Sequence, residues 1–500
     1  MSWTNLLFVL NQIAVIAAVV HVVMDNRQPA KTIAWAMVIM FVPVAGIIAY
    51  LFFGVNTRRE RLVSQRSLDQ LSKRSMLGFV EQSNLQLPPA YQPLIDLFVN
   101  QSFSLPFGGN KVELLASGYD FFPTLLRDIA AARSHIHIDI YIFEDDALGQ
   151  LVADALKAKA QQGVEVRVIY DDVGCWGVKN SFFEQMRLAG IETEAFLPVR
   201  FPRFTSKANY RNHRKLIVID GLVGYIGGMN IAMRYVKGIR QGKRKAAGSG
   251  QLLPWRDTMM RIEGIGVYSL QRAFLIDWYF VDRTLLSDRK YYPTPRTSNL
   301  KPQTSNLKPQ ASKPRPQASL LQTVTSSPTS PDAEIMQGYV SIILSARRYV
   351  YIETPYFLPT DAVLFALKTA ARAGVDVRIM VPRRSDARFT QWASRSYLRE
   401  AVEAGISVSL YNAGFLHSKI MVCDDALATC GSTNVDFRSF ENNFEANTFV
   451  YDTLTARQMR QLFLHDECSA TPLVGLAGFM RPTFHVRLAE SLARLLSPLL

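Results

Sequence analysis

The chain has 500 residues, more than one typical domain holds, and its formal net charge of +14 favours anionic partners such as nucleic acid or acidic lipid. Its four cysteines have neither the paired spacing of a metal site nor the density of a disulfide framework, which argues against both classes and is typical of a reducing compartment. Net charge alone does not decide whether the anionic partner is lipid or nucleic acid. The segments along the chain provide the evidence that does.

Two apolar segments come first. Residues 3–24 and 33–55 contain no Asp, Glu, Lys or Arg, and each is long enough to cross a bilayer core of about 30 Å. We therefore predict two transmembrane helices within residues 1–57. A cleavable signal peptide is one alternative, but the first segment lacks a basic leading region and a second apolar segment follows at once. A buried helical hairpin of a soluble domain is the other alternative.

A cluster of positive charge follows the second apolar segment. It consists of Arg58, Arg59, Arg61 and Arg66. Since positively charged flanks stay on the cytoplasmic side of a membrane, we predict a multi-pass protein whose termini and later domains are cytoplasmic. Residues 58–105 are predicted to form a juxtamembrane connector.

A five-residue pattern then occurs twice, shifted by 204 residues at every position, from 213 to 417 and from 230 to 434. Its members are His213, Lys215, Asp220, Gly227 and Asn230, and then His417, Lys419, Asp424, Gly431 and Asn434. At residue frequencies of about one in twenty, five such coincidences have a likelihood of about one in three million per starting position. Chance is a poor explanation.

The pattern predicts a site for one phosphodiester anion. A histidine two residues from a lysine on an extended segment places both side chains on one face, because side chains alternate along a strand. The asparagines, Asn230 and Asn434, would add amide donors beside the glycine turns, and we predict that they bind phosphate. Two such halves face to face would surround one anion with two histidines, two lysines and two asparagines, without a metal or another cofactor.

The duplication extends to the flanking segments. AARSHIHIDIYIF (131–143) resembles SARRYVYIETPYF (345–357), and GVEVRVIYDD (163–172) resembles GVDVRIMVP (374–382). Each half is predicted to alternate helix and strand three times before its motif, which indicates an α/β fold. We predict two similar halves, 106–292 and 333–480, each a mixed, mostly parallel sheet flanked by helices, with the site at their interface.

Three polar or amphipathic segments complete the chain. Residues 293–332 are rich in Pro, Ser, Thr and Gln and contain TSNLKPQ twice in succession, so we predict a disordered linker. Residues 238–251 are predicted to be an exposed basic loop. Residues 481–500 are predicted to form an amphipathic helix that packs on the catalytic core, on a second subunit or on the membrane interface.

The doubled His-x-Lys-x4-Asp pattern resembles the signature of the phospholipase D superfamily, and the surrounding strings are similar to those of bacterial cardiolipin synthases. These strings include NHRKLIVIDG, LHSKIMVCDD, PWRDT (254–258) and YIETPYFLPT (351–360), and the resemblance covers nearly all of the chain except the linker and the basic loop. Cys423 within the second motif is a departure, and Met259 stands where the family usually has His.

The resemblance implies a phosphatidyltransferase of the bacterial inner membrane. It implies that two phosphatidylglycerol molecules are joined into cardiolipin with release of glycerol, so the expected partners are phosphatidylglycerol, other anionic phospholipids and the bilayer. It also implies that His213 is the nucleophile and His417 the acid and base.

Chemistry argued from the residues themselves also needs one histidine as nucleophile and the other as acid and base. A neutral histidine attacks phosphorus to form a phosphatidyl-histidine, the other histidine exchanges protons with the alcohols, and Lys215 and Lys419 offset the developing charge. The near symmetry of the halves leaves open which histidine does which.

Each histidine should also be oriented by a carboxylate on its far nitrogen. Asp220 and Asp424 are one candidate pair, but five residues after the lysine on a strand they point away from the histidine, so we predict a structural role for them. Asp257 and Glu445, each opening a later strand, are the better candidates.

Two other classes of function are compatible with parts of the sequence. Transfer to water instead of a lipid hydroxyl would make the protein a phospholipase D, and a phosphodiesterase or nuclease would use the same residues on nucleic acid. Two membrane segments and the lack of a recognisable nucleic-acid module count against the nuclease. A non-enzymatic membrane scaffold is disfavoured because both motifs are intact. The oligomeric state stays open.

Overall fold

The computed structural model describes residues 3–25, 29–54, 87–199, 209–237, 254–293, 319–330, 332–475 and 477–497. The arginine cluster after residue 57, the basic loop 238–251 and residues 294–318 of the predicted linker lie outside the described residues.

The first apolar segment forms one long helix, α1 (Trp3–Met24), and in the described part of the chain it alone is long and apolar enough to cross a membrane. The second segment is divided into α2 (Pro29–Phe41), α3 (Pro43–Ala49) and a π-helical turn (Tyr50–Gly54). The break has a local cause, since Pro43 lacks an amide hydrogen and disfavours helical geometry at the residue before it. The second predicted span is therefore a broken helix in the structure, and that it crosses a membrane stays a prediction.

The predicted connector ends in a core helix, α4 (Gln92–Ser102). Its apolar side chains pack into the core of the second half, and the ring of Phe98 lies 4.6 Å from that of Phe449. Residues 92–102 thus belong to the folded body, although the sequence analysis assigned them to the connector.

The first half alternates helix and strand before its motif, as predicted. Its elements are β1 (Phe107–Leu115), α5 (Gly118–Ala131), β2 (His135–Ile140), α6 (Ala147–Gln161), β3 (Glu165–Asp171), α7 (Asn180–Leu188), β4 (Glu192–Phe196), β5 (Arg211–Asn212), β6 (Lys215–Ile219), β7 (Val223–Gly227), β8 (Trp255–Arg256), β9 (Met259–Glu263) and α8 (Val267–Asp282).

The second half repeats this order from a strand inside the predicted linker. Its elements are β10 (Ser319–Ser326), α9 (Glu334–Ser345), β11 (Tyr349–Glu353), β12 (Phe357–Leu358), α10 (Asp361–Arg372), β13 (Asp376–Pro382), α11 (Arg388–Glu403), β14 (Ser407–Tyr411), β15 (Phe415–Leu416), β16 (Ile420–Cys423), β17 (Leu427–Gly431), β18 (Val435–Asp436), α12 (Phe437–Glu441), β19 (Asn443–Val450), α13 (Thr453–Glu467), β20 (Ala470–Pro472), α14 (Ala477–Met480) and α15 (Phe484–Leu495).

The predicted linker boundary at residue 332 is wrong, because β10 lies within it. The segment SLLQTVTS is buried along most of its length, since it pairs with β1 on one side and β19 on the other. Its polar side chains form hydrogen bonds with neighbouring segments. The Thr323 hydroxyl lies 2.9 Å from that of Thr448, and the Gln322 amide donates to two backbone carbonyls. A composition-based reading cannot detect a strand whose polar side chains are satisfied by distant partners.

One 16-stranded sheet runs through both halves. Strands β1 and β10 pair at its centre, β9-β7-β6-β2-β3-β4 continue on one side, β19-β17-β16-β11-β13-β14-β20 on the other, and β5 pairs with β19. Helices α5–α7 and α9–α11 cover one face. Helices α8 and α13 pack on the other face, where one apolar cluster contains residues of both halves.

The sheet is mixed, as predicted, but its parallel ladders are confined to β2-β3-β4 and β11-β13-β14 among the longer strands. Tight turns follow β6 and β16 and send the chain back antiparallel. Asp220, Gly221, Asp424 and Asp425 take positive φ values of 51°, 67°, 53° and 57° in these turns. The "mostly parallel" part of the prediction therefore holds only for β2-β3-β4 and β11-β13-β14.

Candidate functional site

A cavity of about 350 Å³ lies between the two halves and is lined by residues of both. Four predicted site residues line it: His213, His417, Asn230 and Asn434. Both motif lysines are fully buried beside it. The structure thus brings the two copies of the pattern to one place.

Short parallel pairings between the halves position the histidines. β5 pairs with the start of β19, and β15 pairs with β8. The backbone N–H of His213 donates to the Phe444 carbonyl at 2.9 Å, and that of His417 to the Arg256 carbonyl at 2.7 Å. Each histidine therefore sits in a gap between two short strands and is held by a strand of the opposite half, rather than within one continuous strand as the sequence suggests.

The histidine–carboxylate pairs cross between the halves. Nδ1 of His213 lies 2.9 and 3.2 Å from the two carboxylate oxygens of Glu445, and Nδ1 of His417 lies 2.6 Å from Oδ2 of Asp257. Both carboxylates are completely buried. With Nδ1 engaged in this way, the other ring nitrogen, Nε2, is the one left for chemistry in each imidazole. Neither half contains a complete pair by itself.

Further hydrogen bonds fix the two carboxylates. Glu445 accepts from the Ser432 hydroxyl and, at 3.1 Å, from Nδ2 of Asn443. Asp257 accepts from the backbone N–H of Thr258 at 2.7 Å. Glu445 therefore receives three donors from side chains, whereas Asp257 has fewer partners around its charge.

Burial makes both imidazoles neutral near pH 7. It lowers the pKa of His213 to about 4, against the opposing effect of Glu445, and burial together with Lys419 and Lys215 holds the pKa of His417 well below its ordinary value. Neutral imidazole is the form that can attack phosphorus or accept a proton.

The two carboxylates differ in their protonation. Burial raises the pKa of Asp257 to about 6 even though Lys419 opposes it. Burial acts in the same direction on Glu445, but His213 and Lys215 outweigh it and bring the pKa of that carboxyl below its ordinary value. As the pH rises, the His213–Glu445 pair therefore loses its shared proton first, and the His417–Asp257 pair keeps its proton to a higher pH.

The lysines lie behind the histidines and support them. Nζ of Lys215 donates to the His213 carbonyl at 2.5 Å and lies 5.1 Å from the centre of the Tyr141 ring, and Lys419 donates to the His417 carbonyl. Burial lowers the pKa of Lys215 to about 7 and that of Lys419 to about 8. An anion in the cavity favours their charged forms.

The two asparagines line the cavity with their amides already engaged. Nδ2 of Asn230 donates to the Tyr235 hydroxyl at 3.1 Å, and its Oδ1 accepts from the backbone of Ile142 at 3.1 Å. Nδ2 of Asn434 donates to Asp436 at 3.0 Å. Phosphate binding by Asn230 and Asn434 stays a prediction, and their present contacts hold the surrounding loops.

The motif aspartates lie away from the cavity. Asp220 accepts from the backbone N–H groups of Arg133, Ser134 and His135 at 2.7–3.0 Å. Asp424 accepts from the equivalent residues 347–349 at 2.8–2.9 Å. Each carboxylate thus ties the turn after the motif strand to the start of a neighbouring strand.

Sequence reasoning missed much of the cavity wall. Arg211, Arg234 and Arg438 line it and add positive charge, while the ring of Trp255 lies 5.0 Å from that of His417. Arg211 could have been found, because it lies two residues before His213 on an extended segment. Arg234 and Arg438 could have been found as well, because they are separated by the same 204 residues as the motif and each lies four residues after the motif asparagine.

No group of three or more His, Cys, Asp or Glu side chains suited to hold a metal ion occurs within the described ranges. The donors at the cavity are imidazole, ammonium and guanidinium groups, which suit an anion. The arrangement can bind a phosphodiester, present a neutral imidazole to it and supply a proton from the opposite side.

Comparison with known proteins follows the same division of the chain. The family described as "Cardiolipin synthase, PLD-like domain" matches residues 125–240 and 339–467, and "Phospholipase_D-nuclease N-terminal" matches residues 13–54. A cardiolipin synthase of Geobacillus kaustophilus is 37% identical over 99% of this chain and 94% of its own length. The major cardiolipin synthase ClsA of Bacillus subtilis is 34% identical over 99% of this chain and 98% of its own length.

Among solved structures, a phosphatidylserine synthase of Haemophilus influenzae matches 81% of this chain and 99% of its own, with a TM-score of 0.60 and 16% sequence identity. At that identity the likeness shows a shared fold.

Proposed function

The chain belongs to the cardiolipin synthase family of phospholipase D-like phosphatidyltransferases, and on that premise we propose that it joins two phosphatidylglycerol molecules into cardiolipin and releases glycerol. The observation that carries the proposal is the crossed arrangement of His213–Glu445 and His417–Asp257 around one cavity. A two-step transfer needs a neutral imidazole that attacks phosphorus and, across the cavity, an imidazole–carboxyl pair that carries the proton for the leaving group.

In the first step Nε2 of His213 attacks phosphorus of one phosphatidylglycerol. An N–P bond forms, the bond from phosphorus to the glycerol oxygen breaks, and His417 gives its proton to the departing glycerol. In the second step His417 takes the proton from the headgroup hydroxyl of another phosphatidylglycerol, whose oxygen attacks phosphorus and breaks the N–P bond. The products are cardiolipin and free His213.

The contrast between the two carboxylates supports this division of roles. Since Glu445 stays ionised, it stabilises the positive charge that His213 acquires on attack. The His417–Asp257 pair keeps a proton to higher pH, as the acid of the first step must. Lys215, Lys419 and the cavity arginines offset charge on the non-bridging oxygens.

A membrane setting fits these substrates. We infer that α1 and the divided apolar segment anchor the protein as a multi-pass hairpin in the bacterial inner membrane, with both halves in the cytoplasm. The length and composition of α1 support a spanning helix, and the arginines that follow residue 57 favour the cytoplasmic side.

The test is to incubate the purified full-length protein with phosphatidylglycerol and to measure lipid products and glycerol. We expect cardiolipin and glycerol in equal amounts, abolition of both by His213→Ala, and no change in His465→Ala, which alters an exposed histidine. Phosphatidic acid instead of cardiolipin would identify a phospholipase. Cleavage of nucleic acid without lipid turnover would overturn the proposal.

The nucleophile is tested by trapping the covalent adduct. A rapid acid quench of the protein with phosphate-labelled phosphatidylglycerol, followed by peptide mass spectrometry, should find the label on His213. A label on His417 would reverse the two roles while leaving the overall reaction intact.

A further inference from the structure

The C-terminal helix α15 rests on α11 through its polar side. Glu490 pairs with Arg399, and Arg494 lies 2.7 Å from Glu400 and 4.0 Å from the centre of the Tyr397 ring. Glu490 and Ala493 are the buried residues of the helix. The contacts of this amphipathic helix with the protein therefore come from its charged side chains and from Ala493, which belongs to the apolar core of the second half.

The apolar stripe of α15 faces away from the protein. At 100° per residue Leu488, Leu492 and Leu495 lie on one side of the helix, opposite Glu490 and Ala493. They are 47%, 55% and 76% exposed, and Phe484 and Leu496 beside them are exposed as well. In a surface helix of a soluble protein the apolar stripe faces the core, so this orientation is inverted.

The stripe continues toward the mouth of the cavity. Thr390 in the first turn of α11 lines the cavity, and the exposed rings of Phe389 and Trp392 on either side of it lie 5.7 Å apart. Phe389 and Trp392 are on the same face of α11 as Ser396 and Arg399, which contact α15, because the spacing is 3, 7 and 10 residues. Since Glu490 contacts Arg399 and Arg494 contacts Ser396, the C-terminal end of α15 points toward the first turn of α11, where the aromatic pair lies.

We call this the apolar surface, made of Phe389, Trp392, Leu488, Leu492, Leu495 and Leu496. Exposed arginines adjoin it, namely Arg383, Arg384 and Arg388 before and at the start of α11. Leucine with tryptophan beside arginine is the composition of helices and loops that bind at the interface of an anionic bilayer. The net charge of +14 and the membrane-length helix α1 favour the same partner.

We propose that the apolar surface lies in the headgroup region of an anionic lipid bilayer and thereby holds the mouth of the cavity against the lipids that it takes. The inference rests on the proposed function in one respect, that the phosphodiester entering the cavity belongs to a membrane lipid. Burial of the leucines in the interface stabilises the bound orientation, and the arginines contact lipid phosphates.

Fluorescence quenching tests the position of the surface. A bimane probe is attached to Leu492→Cys in the full-length protein, with exposed Cys468 replaced by Ser, in vesicles that contain phosphatidylglycerol. Leu454→Cys on α13 is the matched control, since Leu454 is 50% exposed and α13 covers the opposite face of the sheet. We expect lipids with brominated chains to quench the probe at 492 and aqueous iodide to quench the probe at 454.

Iodide quenching at position 492 equal to that at 454 would overturn the proposal. Protection from both quenchers would overturn it too and would assign the surface to a second copy of the chain, which size measurements in detergent would then detect. The experiment needs no enzymatic turnover, so its result is independent of whether the protein makes cardiolipin.

Activity provides a second readout. The combined Leu488→Gln, Leu492→Gln and Leu495→Gln variant should lose about tenfold or more of its turnover of vesicle lipid. It should keep its turnover of short-chain phosphatidylglycerol below the micelle concentration, as Leu454→Gln should on both substrates. Equal losses on both substrates would contradict the docking role and indicate damage to the fold.

Discussion

At the residue scale, two copies of one motif form two chemically different centres. The difference comes from the carboxylate that each histidine receives from the opposite half. Glu445 is surrounded by donors and stays ionised, whereas burial raises the pKa of Asp257 to about 6. A pseudosymmetric pair can thus divide the roles of nucleophile and acid without any change in the motif itself.

The substitution Glu445→Gln tests the orienting role. The new amide would place N–H donors against the Ser432 hydroxyl, Nδ2 of Asn443 or Nδ1 of His213, all of which donate to the carboxylate now. We expect kcat to fall by about 10²- to 10⁴-fold, as for loss of the orienting carboxylate in other histidine-based sites. Lipid turnover measures it, and the exposed Glu184→Gln is the control. Unchanged kcat would exclude the role.

The rate should depend on pH through His213, the His417–Asp257 pair and Lys215. His213 must be neutral to attack, so kcat/KM should rise as pH increases through about 4. The His417–Asp257 pair must carry the proton of the acid and Lys215 must be charged to offset phosphate charge, so kcat/KM should fall as pH increases from about 6 to about 7. A pH series of initial rates measures both limbs.

The descending limb can be assigned with one variant. Lys215→Arg keeps its charge over the whole range, so the part of the limb at about 7 should be lost and the part at about 6, from the His417–Asp257 pair, should remain. A descending limb that stays at 7 in this variant would assign it to another group.

At the element scale, the turn after each motif strand is held by the motif aspartate. Asp220 takes a left-handed conformation with φ of 51° and its carboxylate caps three backbone N–H groups at the start of β2. Asp424 does the same before β11. The recurrence of Asp at this position therefore has a structural explanation that involves no contact with the cavity.

Asp220→Ala should reduce stability and leave chemistry intact. It removes the acceptor of three N–H groups. It also puts alanine, whose side chain forms no hydrogen bond, in a left-handed backbone conformation. Since these groups are partly solvated, we expect a loss of about 1–3 kcal/mol in the free energy of unfolding. Thermal unfolding measures it, and Asp154→Ala on exposed α6 is the control. A large fall in kcat of the folded protein would instead give Asp220 a chemical role.

The sequence predicted the elements well where periodicity and local chemistry determine them. The alternation of helix and strand, the two similar halves and the amphipathic terminal helix all follow from local pattern. Strand β10 did not, because its polar residues are satisfied by β19 and α4, which are distant in the chain. The orienting carboxylates could be named, but their crossing to the opposite half depends on how the halves dock, which no local pattern encodes.

At the scale of the whole molecule, the two halves form one structure. The sheet passes from one to the other through β1 and β10, and an apolar cluster between the sheet, α8 and α13 draws on both. This continuity has a functional consequence. The continuous sheet joins the two halves whose facing residues, His213 and His417 among them, line one cavity.

Leu321→Ala tests whether the halves unfold together. Leu321 is fully buried on β10, pairs with Phe107 and Val450, and belongs to the apolar cluster that the halves share. The truncation should lower the free energy of unfolding by about 2–5 kcal/mol. Both halves should lose stability, because Leu321 packs against both. Hydrogen exchange of peptides from β3 and β13 measures each half separately.

We expect equal increases in exchange in the two peptides, since opening at the centre of a continuous sheet exposes both sides. Leu454→Ala, an exposed site, should change neither. Loss of protection in β13 with full protection in β3 would show that the second half opens by itself. In that case the crossed histidine–carboxylate pairs, rather than the sheet, would have to hold the active site together.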